Sequence, residues 1–188
     1  MIHTRICDLL GIRHPIVLGG MGSATSPKLV AAVSNAGGFG TLGTSALCGQ
    51  QITAAANAIR EATDKPFGIN HLCFRMDEPD YAATLSARPD VVAFAWAVPE
   101  QDLRAYFARA HDAGAKVMYM ASTVIEALRA AESGVDVLIA QGTEGGGHVG
   151  DHPGLDHGPG HVRPPDRPAP GQLPDIRADT KSFFTGCR

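Results

Sequence analysis

The sequence predicts an α/β protein built on a parallel sheet that helices cover. Three observations carry this. Short apolar runs alternate with longer Ala-rich stretches from residue 1 to about 150. Each short run is apolar at successive positions, as expected of strands buried on both faces. Glycine-rich segments such as "GGMG" and "QGTEGGG" follow several runs, where the ligand loops of α/β folds lie. An open doubly wound sheet and a closed (β/α)8 barrel both fit; the small residues at strand ends suit a barrel mouth.

The first expected strand is "PIVLG" (15–19). A helix follows at 26–37, with Ser26 as N-cap, Pro27 in the first turn and Gly37 as the stop. Next comes "GFGTLG" (38–43), which contains a formal G-x-G-x-x-G match. A dinucleotide fingerprint must follow a strand and open a helix. This one follows a helix, so it reads as a glycine cap running into a closely packed strand. The remaining strands are expected at 66–70, 91–95, 116–120 and 135–140. Helices are expected at 49–63, 79–87, 99–113 and 122–133, the last bracketed by Ser122 and Gly134. That makes about six βα units in residues 1–152, a partial barrel if the sheet is a barrel. Residues 153–188 hold seven of the chain's thirteen prolines and no apolar period, so they read as an irregular, disordered tail.

Composition narrows the function classes. Formal net charge is -3 with 19% charged residues, and there is no basic run beside aromatics, which argues against nucleic acid. No apolar stretch reaches membrane-span length, and the N-terminus lacks a signal-peptide core, so a cytoplasmic location is expected. Cys7, Cys48, Cys73 and Cys187 are scattered without a C-x-x-C pair and read as reduced, structural thiols. His148, His152, His157 and His161 lack a rigid scaffold with ligand spacing, so no metal site is expected.

Chemistry concentrates in the loops. Gly20, Met21 and Gly22 end the first run, where bare backbone admits a flat ligand. Asn70 closes "FGIN"; its amide suits a heteroaromatic edge, and it equally suits a strand cap. Gln141 ends the last run. Gly145, Gly146 and Gly147 then offer N–H donors that stabilise negative charge on a substrate oxygen. His148 stands among them as a group that exchanges protons near neutral pH. Proton abstraction beside an electron-withdrawing group needs that pairing, although a lone loop histidine is also a common surface feature. Glu144 reads as a solvated carboxylate. Trp96, after the 91–95 run, lines a pocket or packs at the rim.

Four segments, "ICDLLGIRHPIVLGGMG", "AAVSNAGGFGTLG", "FGIN" and "VLIAQGTEGGGHVG", resemble the nitronate monooxygenases, long called 2-nitropropane dioxygenases. The resemblance spans residues 1 to about 152. Its most specific part is the run ending at His148, with Gly145 where the family usually has Ala. It implies an FMN-dependent flavoprotein oxidoreductase on a (β/α)8 TIM barrel, oxidising a nitronate or nitroalkane with O2. Gly20, Met21, Gly22, Asn70, Gln141, Gly145 and Gly146 would contact FMN, and His148 would be the catalytic base. Flavin-dependent enoyl-acyl-carrier-protein reductases share much of the pattern and give an alternative reaction. Family members continue into two more βα units that hold the FMN phosphate. This sequence turns Pro-rich near Gly154, which reads as truncation. Open barrel edges, self-association and a non-catalytic fragment are the corresponding expectations.

Overall fold

The computed structural model describes residues 2–142. Five strands form one sheet in the order β1-β2-β3-β4-β5, every neighbouring pair parallel: β1 Gly40–Gly43, β2 Phe67–Leu72, β3 Val91–Ala95, β4 Lys116–Ala121 and β5 Val137–Ala140. The helices are α1 Arg5–Leu10, α2 Pro27–Asn35, α3 Gly49–Ala62, α4 Glu78–Ala87, α5 Leu103–Asp112 and α6 Val124–Glu132, with short 3-10 turns at Gly22–Ala24 and Cys73–Arg75. A strand-helix alternation in strict spatial order is the wind of a barrel rather than of a doubly wound sheet, whose strand order reverses.

The first expected strand contracts to a single bridge, Val17 to Phe39. Leu18 N–H donates to the Phe39 carbonyl at 2.8 Å, and Phe39 N–H to the Ile16 carbonyl at 2.9 Å. Pro15 has no N–H, and Ile16 N–H turns back to His14 O at 2.7 Å, so the ladder cannot lengthen toward the N-terminus. The "GFGTLG" segment is β1, entered from α2, and opens no helix. The expected helix 99–113 begins only at Leu103, because Asp102 caps it through Ala105 N–H. Thr123, not Ser122, caps α6, accepting from Glu126 N–H. Ser26 caps α2 as expected, accepting from Leu29 N–H. Cys7 and Cys73 are free and buried.

Both faces of the sheet are covered by apolar side chains. On the outer face Val30, Ile52 and Ile59 from α2 and α3 pack on Leu42, Phe67 and Ile69. Further along, Tyr81, Leu103 and Phe107 pack on Val92, Phe94 and Tyr119. On the inner face α1 and its exit segment press Cys7, Leu10 and Ile12 onto Phe39, Val91, Ala93 and Met118. Burying Leu10 and Ile12 there contributes about 2–3 kcal/mol each, which is why a helix of one and a half turns persists. The covering fails at the ends. Ile16 lies exposed beside the Val17 bridge, and Val124, Ile125, Leu128, Leu138 and Ile139 lie exposed on α6 and β5.

Two buried polar groups tie the layers together. Ser34 Oγ donates to Pro66 O at 2.8 Å and accepts from Gly40 N–H at 3.2 Å, joining α2 to β1 and to the approach to β2. His71, on β2, is 2% exposed and lies between two threonines. The Thr44 hydroxyl donates to Asn70 O at 2.9 Å, so it accepts from His71 Nδ1–H at 3.1 Å. His71 Nε2 then accepts from the Thr84 hydroxyl at 2.8 Å. The neutral ring satisfies both its nitrogens in this way, and burial pushes the pKa down from 6.5 to about 4.

Two outcomes follow. Ser34→Ala strands the buried Gly40 N–H and costs about 1–3 kcal/mol in urea unfolding; a change below a few tenths would mean that the hydroxyl is dispensable. Unfolded His71 takes up a proton before folded His71 does, so its contribution is complete above pH about 6.5 and declines as pH falls toward 4. The loss is roughly 3 kcal/mol, and His71→Gln flattens that part of the stability profile. A wild-type profile already flat from pH 4 to 6.5 would contradict a neutral buried ring.

Candidate active site

The carboxyl end of the sheet gathers most of the described candidates. Gly22 has φ +53, in the left-handed region, and starts the 3-10 turn. Thr25, 4% exposed, fixes the loop: its hydroxyl donates to Gly22 O at 3.0 Å and accepts from Gly43 N–H at 2.8 Å. The loop thus lies directly on the end of β1. A Cβ on Gly43 would stand 2.4 Å from Gly22 N.

Gly20 meets Asn70. A Cβ at position 20 would stand 2.5 Å from Asn70 Cβ and 2.6 Å from Oδ1. On the side where a Cβ would stand, the protein's own asparagine takes the space. Open space lies instead beside Gly19, where an added Cβ meets nothing within 4 Å. The N–H groups of Gly20 and Met21 find no acceptor among the described residues. Asn70 is within β2, paired with Gly43 and Ala93, so it is not a strand cap. Its Nδ2 reaches Ala93 O at a long 3.4 Å, leaving the amide weakly committed.

Gln141 follows β5 at the same end, with two strands, β3 and β4, between it and β2. Its N–H donates to Ala121 O at 3.0 Å, and its Oε1 accepts from Ser122 Oγ at 3.3 Å. Ser122 N–H is held in turn by Glu126 Oε2 at 2.7 Å. The structure therefore brings Gly20, Met21, Gly22 and Asn70 together and sets Gln141 across β3 and β4 from them. Gly145, Gly146 and His148 lie outside the described residues.

Thr25 and Ser122 were not legible as site supports, because a hydroxyl's partner is set by tertiary approach. Trp96 carries a second surprise. It directly follows β3 at the mouth with φ +57, which for a bulky side chain is strained by about 1–3 kcal/mol. Its ring lies 6.2 Å from that of Phe74, in the turn after β2. The neighbouring Cys73 is inert, since burial pushes its thiol up to about 12. No group of three metal-binding side chains forms among the described residues, and no described helix is long and apolar enough to cross a membrane.

Known proteins resemble this chain in sequence and in fold. A family profile described as nitronate monooxygenase matches residues 3–87 and 82–162. A Mycobacterium tuberculosis (3aS,4S,5R,7aS)-5-hydroxy-7a-methyl-1-oxo-octahydro-1H-indene-4-carboxyl-CoA dehydrogenase is 36% identical over 149 residues, covering 79% of this chain and 41% of its own. A Paraburkholderia phytofirmans nitronate monooxygenase is 32% identical, covering 77% and 50%. Among solved structures, FabK from Thermotoga maritima superposes with a TM-score of 0.72 at 35% identity, covering 80% of this chain and 48% of that one. A nitroalkane oxidase from Streptomyces ansochromogenes gives 0.66 at 27% identity, covering 77% and 50%. The fold is of the TIM-barrel type, and the chain spans about half the length, or less, of these relatives. With a parallel sheet wound in barrel order, glycine loops set on its carboxyl end and a profile match along most of its length, the chain belongs to the nitronate monooxygenase family of oxidoreductases.

Proposed function

We propose that this chain carries the flavin-ring side of an FMN-dependent oxidoreductase that oxidises alkyl nitronates or nitroalkanes with O2. The observation that carries the reading is the Gly20–Gly22 loop seated on Asn70 and Gly43 at the carboxyl end of the sheet, in a member of this family. That cluster suits a flat heterocycle. Gly20 and Met21 present backbone donors without acceptors among the described residues, and Asn70 presents an amide that both donates and accepts. Gln141, across the mouth, completes the proposed flavin contacts together with Gly145 and Gly146, which lie outside the described residues. Bound FMN supplies a two-electron acceptor that oxygen regenerates.

The protein's own part is proton handling and charge stabilisation. His148 removes the proton alpha to the nitro group, since an imidazole is half-basic near neutral pH. The N–H groups of Gly145 to Gly147 bear the negative charge that this places on the nitro oxygens. The buried, neutral His71 takes no part, because both its nitrogens are engaged by threonines. Self-association through the uncovered β5 and Ile16 edges, and residence in the cytoplasm, belong to the same proposal.

One observation favours a second reaction. The relatives from Mycobacterium tuberculosis and Rhodococcus jostii, at 36% and 35% identity, are named dehydrogenases of a carboxyl-CoA, which is a thioester. Redox chemistry on a thioester, including NAD(P)H-dependent enoyl-thioester reduction, is the alternative to nitronate oxidation. NAD(P)H consumption on adding an enoyl thioester, with no response to nitroalkanes, selects it.

The role of His148 is tested by His148→Ala, which is expected to lower nitroalkane oxidation at least about a hundredfold while flavin stays bound. Turnover unchanged in that variant removes the histidine from the mechanism. Gly20→Ala drives a methyl group into Asn70 and is expected to weaken FMN at least about tenfold in a visible titration, with the folded circular dichroism retained. FMN affinity equal to wild type would place the flavin elsewhere.

A further inference from the structure

The described sheet has two edges, and they differ. At the Val17 edge the ladder is a single bridge, and Pro15 and the turned-back Ile16 N–H keep it from lengthening. The β5 edge has no such guard: "VLIA" holds neither a proline nor a charged residue. Leu138, in register with Tyr119, lies on the outer face with α6, and Ile139, in register with Met120, lies on the inner face. They are 42% and 38% exposed, so both faces of β5 are left uncovered, which is rare for a strand of a parallel sheet.

The outer part of this surface continues onto α6. One side of that helix packs inward through buried Ala130 and half-buried Ala127. On the other side Val124, Ile125 and Leu128 are 66%, 79% and 58% exposed. Three large aliphatic side chains within five positions make a patch rather than scatter. The charges nearest to it are drawn aside. Glu126 Oε2 accepts from Ser122 N–H at 2.7 Å, and Arg129 donates to Val98 O at 3.0 Å. Glu132 stands one turn beyond Leu128, at the end of the strip.

We propose that β5 and the exposed side of α6 bind a second copy of this chain about a two-fold axis. The inference rests on the self-association proposed above and narrows it to one surface. With one edge guarded and one open, copies cannot continue head to tail, so association through β5 closes at two chains. The axis sets each β5 antiparallel to its mate and each α6 antiparallel to its mate. Leu128, the middle residue of α6, then stands nearest the axis. Two identical patches free of charge meet without like-charge repulsion. Glu132 of each helix comes toward the N-terminal end of the other, where the helix dipole favours a carboxylate. Residues 153–188 of the same chain are a poorer occupant, because their seven prolines can neither donate to a strand ladder nor continue a helix.

The test follows the mass of the full 188-residue chain by sedimentation velocity, from about 1 to about 100 µM. Expected is a shift from one chain to two, and no further. Leu128→Lys and Leu128→Glu each set like charges against one another across the axis, and each is expected to weaken association at least about tenfold. An equimolar mixture of the two variants restores it, since lysine then faces glutamate. Leu128 is exposed, so both variants keep the wild-type circular dichroism. Ile16→Lys, at the guarded edge, leaves the dimer unchanged. A chain that stays monomeric throughout overturns the proposal together with the self-association it rests on. A dimer indifferent to both charges at position 128, or one lost in Ile16→Lys, overturns this surface alone. Species that keep growing with concentration overturn the two-fold closure.

Discussion

A parallel sheet has two apolar faces, and both must be taken from water. That constraint organises this molecule. The outer face is met by α2 to α6 in turn, each helix bringing its apolar side chains onto the strands beneath. The inner face is met at its floor by α1, whose Cys7 and Leu10, with Ile12 just beyond, seal the space over Val91, Ala93 and Met118. The opposite, carboxyl end of the sheet carries the loops that follow the strands. The glycine loop, Asn70 and Gln141 are all found there.

Close backbone approach is the second element of the design. Gly40 lets α2 come down on β1, with its Cα hydrogen facing Val30 O where a Cβ would stand at 2.3 Å. Gly43 and Gly20 let the 20–22 loop come down on the sheet's end. Thr25 and Ser34 supply the hydrogen bonds that such tight contacts need, because a buried N–H left unpaired is costly. The same glycines that make packing possible also fix the position of Asn70, so the candidate flavin cluster and the fold depend on the same contacts.

Much of this was legible in the sequence. The runs at 66–70, 91–95 and 116–120 became β2, β3 and β4, because continuous apolar runs between helices have few other places to go. The G-x-G-x-x-G segment was correctly separated from a dinucleotide loop by the order of its neighbours. Other features lay beyond local reading. "PIVLG" has strand composition, yet Pro15 and the turned-back Ile16 N–H limit it to one bridge. The short α1 is held by tertiary burial rather than propensity. Asn70's neighbour at Gly20, the twin threonines around His71 and the left-handed Trp96 all depend on what approaches from distant parts of the chain.

The central claim is that the loop cluster at the carboxyl end holds a flavin ring. The most direct test is to mix the 188-residue chain with FMN, pass it through gel filtration and record the visible spectrum of the folded fraction. The account predicts a flavin band that co-elutes with the protein and is reduced in Asn70→Ala. Folded protein that elutes colourless at FMN concentrations well above micromolar, or a band unaffected by Asn70→Ala, would contradict it.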